Sequence, residues 1–508
     1  MVREHTSFGI LGRVDAPDAQ PEDPMNASAT TETEVTFPEV DGRRGSTPVT
    51  RSVLADAVAV VDPALAAEIT RCSSWRKDYV DLVHRATAAS AGPAGHAVAI
   101  ARAGLESMRS QMVLAGPQGD VPIADAGLGS PPVLHTETVD GAARAVPELR
   151  VPYRGRELAG DTLLVQVDRW VDSGLAEPGF RDAIEAVVEH PEWLAVPGRR
   201  LALLGAGAEM SPLGPLTAWG ADVLAVDVPV PAVSERLHRL AREGAGTTRY
   251  PLAPNGVAGA DLVRHTAALL EWLRRSSEGL PTVLGMYAYA DGGAHVQVTA
   301  AFDLIATALL DDDPATALAY LATPTDAFLV GTDVVAHSRR AWASRGLVRH
   351  LQAPLRAASR GALFAPHYPE DADAVADVLV PQQGPSYAMA KRLQRWRGVA
   401  SEAQGRRVSF NVAPATLTRS VTKNRLLAAA YAGAPRFGVE IFAPDTSRTL
   451  MAALLVHDLH RDAVTRAHPE ELFSDTAAHG GLWRVGYEPR SVLGIAAVGG
   501  MPSAILGR

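Results

Sequence analysis

A chain of 508 residues is too long for one ordinary hydrophobic core, so two or more domains are expected. Its 47% apolar and 21% charged residues exclude a disordered, collagenous or disulfide-rich protein. The 57 acidic against 48 basic residues (net charge −9) argue against nucleic-acid and membrane-surface partners, and the single Cys72 excludes an internal disulfide and a cysteine zinc site.

Residues 1 to about 48 are rich in Asp, Glu, Thr, Pro and Gly without apolar periodicity, which predicts a mostly disordered tail with one short extended piece. No basic stretch followed by an apolar core opens the chain, and no run approaches the ~20 apolar residues of a membrane span. A cytoplasmic protein is expected.

From 49 to 197 the pattern is mainly helical and predicts a separate N-terminal domain. Asp62-Pro63 supplies a cap and a first-turn proline, Ser74 precedes WRKDYVDLVHRATAAS, and a third helix covers 94–114. A Gly/Pro-rich loop (115–133), a strand near 149–153 and helices at 159–173 and 178–189 follow. At Leu201 the pattern changes to short apolar runs alternating with helices: LALLGA, DVLAVD, TVLGMYAY, ALAYLAT and RVSFNVAP. That alternation predicts an α/β domain over 198–508 with a doubly wound, Rossmann-like parallel sheet.

The first of these strands runs into Gly205-Ala206-Gly207-Ala208-Glu209-Met210, and the next ends on Asp227. Strand, glycine turn, helix, strand and acid is the order of a dinucleotide site. The glycines admit a pyrophosphate to a helix N-terminus, and the acid accepts from ribose hydroxyls. Met210 stands where a third glycine belongs. A tight structural turn explains the same glycines without a cofactor. Asp227 favours NAD over NADP, because a carboxylate repels a 2′-phosphate. A methyltransferase would carry an acid at the start of the first strand, which LALLGAG lacks.

Tyr387 and Lys391 are four residues apart in SYAMAK, hence on one face of a helix. With only three lysines in the chain, chance seldom makes such a pair. An adjacent ammonium favours tyrosinate, so Lys391 is expected to lower the phenol pKa.

With the glycine turn, Asp227, this pair and SFNVAPATLTRS (409–420), residues 198 to about 450 resemble the short-chain dehydrogenase/reductase family. The resemblance implies NAD as cofactor, with NADP as the alternative, and a small carbonyl or alcohol substrate. It implies that Tyr387 is the catalytic acid/base and that Lys391 holds the nicotinamide ribose. Pro414, Thr416 and Thr418 would contact the cofactor, along with Gly205, Gly207, Ala208, Glu209, Met210, Asp227 and Tyr287. Thr323 or Thr325, at the end of the fifth strand, would replace the family's serine if residues 327–385 form an inserted lid. The family also implies a homo-oligomer, unless the extra segments cover its faces.

Where the family has Asn-Asn-Ala-Gly this chain has Met286 to Gly293, and Ala415 replaces a glycine. These departures keep two other functions open: a nucleotide-binding scaffold or sensor without turnover, and a lyase or isomerase using the Tyr–Lys pair. Tyr287, Tyr289, Asp291 and His295 cluster after the fourth strand, either as a site or as packing beside the Gly292-Gly293 turn. His457-Asp458-Leu459-His460 reads as a helix surface rather than a metal site, and the lid arginines as a solvated face or an anion-binding one.

Overall fold

The computed structural model describes residues 33–506 except 118, 130 and 254. Seven strands form its main sheet: β1 (His135–Asp140), β2 (Arg200–Leu204), β3 (Val223–Val226), β4 (Thr247–Leu252), β5 (Thr282–Met286), β6 (Ala317–Ala322) and β7 (Val408–Val412). The spatial order is β7-β6-β5-β2-β3-β4-β1, with β2 to β7 parallel and β1 antiparallel on the edge beside β4. The winding reverses between β2 and β5, which places a crevice at their carboxyl ends, where open α/β sheets bind ligands.

The central strands are apolar throughout because both faces are covered. Ala202, Leu204, Leu224, Val226, Leu318 and Tyr320 point into one core, while Leu201, Leu203, Val223, Ala225, Ala317 and Ala319 point into the other. The edge strand β1 is polar (HTETVD) and mostly exposed, as a sheet edge needs to be.

The N-terminal block does not have a core of its own. Helices Ser46–Ala59, Pro63–Arg71, Trp75–Ser90 and Ala94–Gln111 pack on the first face with helices Gly293–Asp312 and Pro385–Glu402. Helices Gly160–Asp172 and Pro178–Glu189 pack on the opposite face with Pro444–His460. Residues 135–140 enter the sheet itself. A boundary at 198 thus divides segments that share both cores.

Order also begins earlier than 49. Glu34–Thr36 pairs antiparallel with Val113–Ala115, and Glu39–Val40 with Arg43–Arg44. The rest of the expected tail, residues 1–32, lies outside the described residues. The segment after β6 is closed at its base, since Ala327–Leu329 pairs with Val375–Asp377. Helices Thr332–Ala343 and Val348–Ala358 lie between these strands. Helix Gly293–Asp312 is long and apolar enough to cross a membrane, but it is a core helix of the first face.

Candidate functional site

The glycine turn is built as expected in its backbone and differently in its surroundings. Gly205 has φ +85°, and a Cβ there would collide with the backbone of Ala288. This glycine therefore lets the loop after β5 approach β2. At Gly207 a Cβ would lie 2.8 Å from Asp227 Oδ2 and 2.6 Å from Arg236 Nη2.

Asp227 accepts from the Gly207 N–H at 2.7 Å and from its neighbour Val228 N–H at 2.8 Å, and Arg236 donates to the Gly207 carbonyl. Burial raises the Asp227 pKa, opposed by these two amides and by Arg236. Both glycines and the acid are thus engaged by the protein's own groups. The expected helix is also displaced: it covers only Leu213–Ala218, beyond Ser211-Pro212.

The other expected cofactor residues follow the same rule. Ala208 N–H closes the turn on Gly205 O, and Glu209 Oε2 accepts from Arg419 N–H at 2.8 Å, which ties the turn to the loop after β7. Met210 and Tyr287 point inward and line a small void with Tyr320, Leu321, Ser409 and Asn411. The Pro414 carbonyl accepts from Thr416 Oγ1, which is buried and 2.7 Å from Ser447 Oγ. Thr418 Oγ1 lies 2.9 Å from Ser420 Oγ.

The second cluster lies across the crevice. Gly384, at φ +84°, turns the chain into helix Pro385–Glu402, with proline in its first turn. Buried ion pairs fix that helix: Arg392 with Asp326, Arg395 with Glu470 at 2.5 Å, and Arg397 with Asp303 at 2.6 Å. Tyr387 and Lys391 are thereby held at the carboxyl edge, with Lys391 Nζ 5.9 Å from the Tyr387 ring centre.

Lys391 Nζ donates to Leu321 O at 3.2 Å and to Gln394 Oε1 at 3.0 Å. Burial lowers its pKa to about 8, opposed by Asp326. The expected depression of the Tyr387 pKa does not occur. Desolvation pushes the phenol well up, and Asp326, Tyr289 and Tyr431 add to the effect. At this depth the loss of solvation sets the direction, and Lys391 is not among the charges that move the phenol.

His295 stacks on Tyr387, with centroids 5.5 Å apart and planes at 11°. Its Nδ1 accepts from Ala290 N–H at 3.4 Å, and its buried Nε2 has no hydrogen-bond partner. Burial and the Lys391 charge lower the His295 pKa to about 3, so the ring is neutral. Tyr289, 56% exposed, donates to Asp291 at 2.9 Å and packs 5.2 Å from His295.

After β6, Thr323 Oγ1 lies 2.8 Å from Thr325 Oγ1, and Gln383 Nε2 donates to Thr325 O and Oγ1. The insertion thus brings the end of β6 back to the start of the Tyr387 helix. Sequence reasoning missed Gln383, Gln394 and Tyr431. A lone glutamine in a turn, or a lone glutamine or tyrosine in a helix, carries no periodic signal that separates it from surface or core.

The His457 to His460 segment is not a solvated surface. Asp458 is buried and accepts from Ser409 Oγ at 2.8 Å and Asn411 Nδ2 at 2.9 Å, while His460 stacks on Trp193. The N-terminal helices cover much of helix Pro385–Glu402, whose residues 388–390 and 392–401 are buried.

No protein-family model matches the chain, and no curated protein matches it.

Proposed function

We propose that the protein is an NAD(P)-dependent oxidoreductase of short-chain type that acts on a carbonyl or alcohol. The observation that carries this reading is the placement of Tyr387 and Lys391 on one helix face. That face lies at the carboxyl edge of a sheet wound β7-β6-β5-β2-β3-β4, where Lys391 reaches the Leu321 carbonyl of β6.

A nicotinamide in the crevice would supply the hydride. The chain's own residues would handle the proton. The Tyr387 phenol is protonated at neutral pH and would donate to a carbonyl oxygen, although burial, by raising its pKa, makes it a weaker acid than a solvated tyrosine. Lys391 keeps one N–H beyond the two that bond Leu321 and Gln394, enough to hold a hydroxyl of a bound ligand. Thr325, positioned by Gln383, supplies the hydroxyl that orients the carbonyl.

The glycine turn's own bonds favour a second reading. A chain whose Asp227 and Glu209 are committed to Gly207 and Arg419 has the layout of a dinucleotide fold with those acids already engaged. That suits a scaffold, or a lyase or isomerase that uses the Tyr387–Lys391 pair without a bound dinucleotide.

Titrating the protein with NADH and NADPH by fluorescence separates the two. Micromolar binding, with turnover of a carbonyl panel that falls about 10²- to 10⁴-fold in Tyr387→Phe, is expected for the oxidoreductase. Absence of binding at millimolar cofactor overturns it. Tyr387-dependent turnover without cofactor would then establish the lyase or isomerase.

A further inference from the structure

The helix Val348–Ala358 has its apolar and polar sides misplaced for a packed element. Its one buried residue is Gln352, whose amide donates to the Tyr487 hydroxyl at 2.8 Å. Its leucines face out: Leu347, Leu351 and Leu355 are 84%, 74% and 52% exposed, and Val348 is 50% exposed. At about 100° per residue these four share one arc of roughly 100°. An exposed apolar arc on one helix is a binding surface rather than a core element.

Its charge says what it binds. From 334 to 369 the chain carries six arginines and no Asp or Glu, in a protein of net charge −9. Arg339 is held by the carbonyls of Tyr368, Pro369 and Glu370, and Arg345 stacks on Trp342 at 3.1 Å. Arg340, Arg349, Arg356 and Arg360 remain exposed.

Two partners are disfavoured. A helix of eleven residues is about 16 Å long, so its arc falls well short of the ~800 Å² per side of a stable protein interface. A second copy would also bring like arginine clusters together. A phospholipid surface has neither requirement. An amphipathic helix lies in the headgroup plane with its leucines in the acyl boundary, and its arginines meet phosphates.

We propose that the Val348–Ala358 helix is an interfacial anchor for anionic phospholipid membranes, inserting Leu347, Leu351 and Leu355 while Arg349, Arg356 and Arg360 pair with headgroup phosphates. The net charge of the whole chain points the other way, but a membrane meets only the face presented to it. The proposal is independent of the oxidoreductase reading.

The test is co-sedimentation of the full chain with phosphatidylcholine vesicles containing about one third phosphatidylglycerol, against pure phosphatidylcholine vesicles. The wild type is expected to pellet with the anionic vesicles only, and less at high salt. The double variants Leu347→Asp/Leu351→Asp and Arg349→Gln/Arg356→Gln should each lower the partition coefficient at least about tenfold. All four positions are exposed, so unchanged thermal unfolding would confirm that both variants fold. Wild-type protein that stays in the supernatant at low salt overturns the proposal. So does equal pelleting of the wild type and both variants. Self-association in sedimentation velocity, lost with the leucine variant and without vesicle binding, would assign the arc to a second copy instead.

Discussion

On the β2–β3 side of the crevice polar groups answer one another: Asp227 meets Gly207, Glu209 meets Arg419, and Thr416 meets Ser447. On the β5–β6 side the pairing is incomplete, although Lys391, Thr325 and Tyr289 have partners. His295 Nε2 is buried without a partner, Lys391 is held at a lowered pKa, and the Tyr387 phenol is pushed up by burial. A satisfied network stabilises a joint, whereas unmatched buried groups with shifted pKa values mark where a ligand would gain most. Read from sequence, both sides announce themselves, the Tyr387–Lys391 pair more than the glycine turn; the geometry adds that the turn is bonded to the protein's own groups.

The largest effect that would sharpen this contrast is on stability. Gly205→Ala forces a Cβ into the Ala288 backbone at a positive φ, and should cost more than about 4 kcal/mol or prevent folding, read by urea denaturation. A stable variant would mean that the turn is loose enough to open for a ligand.

The next concerns pH. The His295 pKa falls from 6.5 in the unfolded chain to about 3 in the fold, so between those values the unfolded state binds more protons. Stability should therefore fall as pH drops below 6.5 toward 3, by several kcal/mol at most, on the order of 1.4 kcal/mol per pKa unit. His295→Phe should flatten the acid limb of the stability curve. An unchanged limb would show that the ring is solvated and the orphaned nitrogen is not buried.

The smallest effect probes the joint. Asp227→Ala leaves two backbone N–H groups without their acceptor and should cost about 1–3 kcal/mol, with NADH binding changed less than stability. If binding is lost and stability kept, Asp227 faces ligand and the comparison between the two sides fails.

Much of the sheet was legible. The runs at 201, 222, 282, 317 and 408 each contain a strand, and the helices at 159–173 and 178–189 agree to within a residue. Strand β4 (TTRYPL) and the edge strand β1 were not legible. Proline interrupts the first, and the second is polar because it lies at an edge. Tyr387 and Lys391 share a face because i,i+4 spacing on a helix is a local property. That Lys391 fails to lower the Tyr387 pKa is a matter of depth, which spacing does not encode.

The sequence by itself determined what depends on neighbours along the chain: the alternation of strand and helix, the glycine turn, the pairing of Tyr387 with Lys391, and the arginine-rich stretch without acids. Tertiary structure decided what depends on residues far apart. It turned Asp227 onto Gly207, carried Tyr287 into a void with Tyr320, divided the N-terminal helices between the faces of one sheet, and left Leu351 outside while burying Gln352. The reason is physical. Local periodicity and turn chemistry act over a few residues, whereas desolvation and close packing are settled only when distant segments compete for the same space.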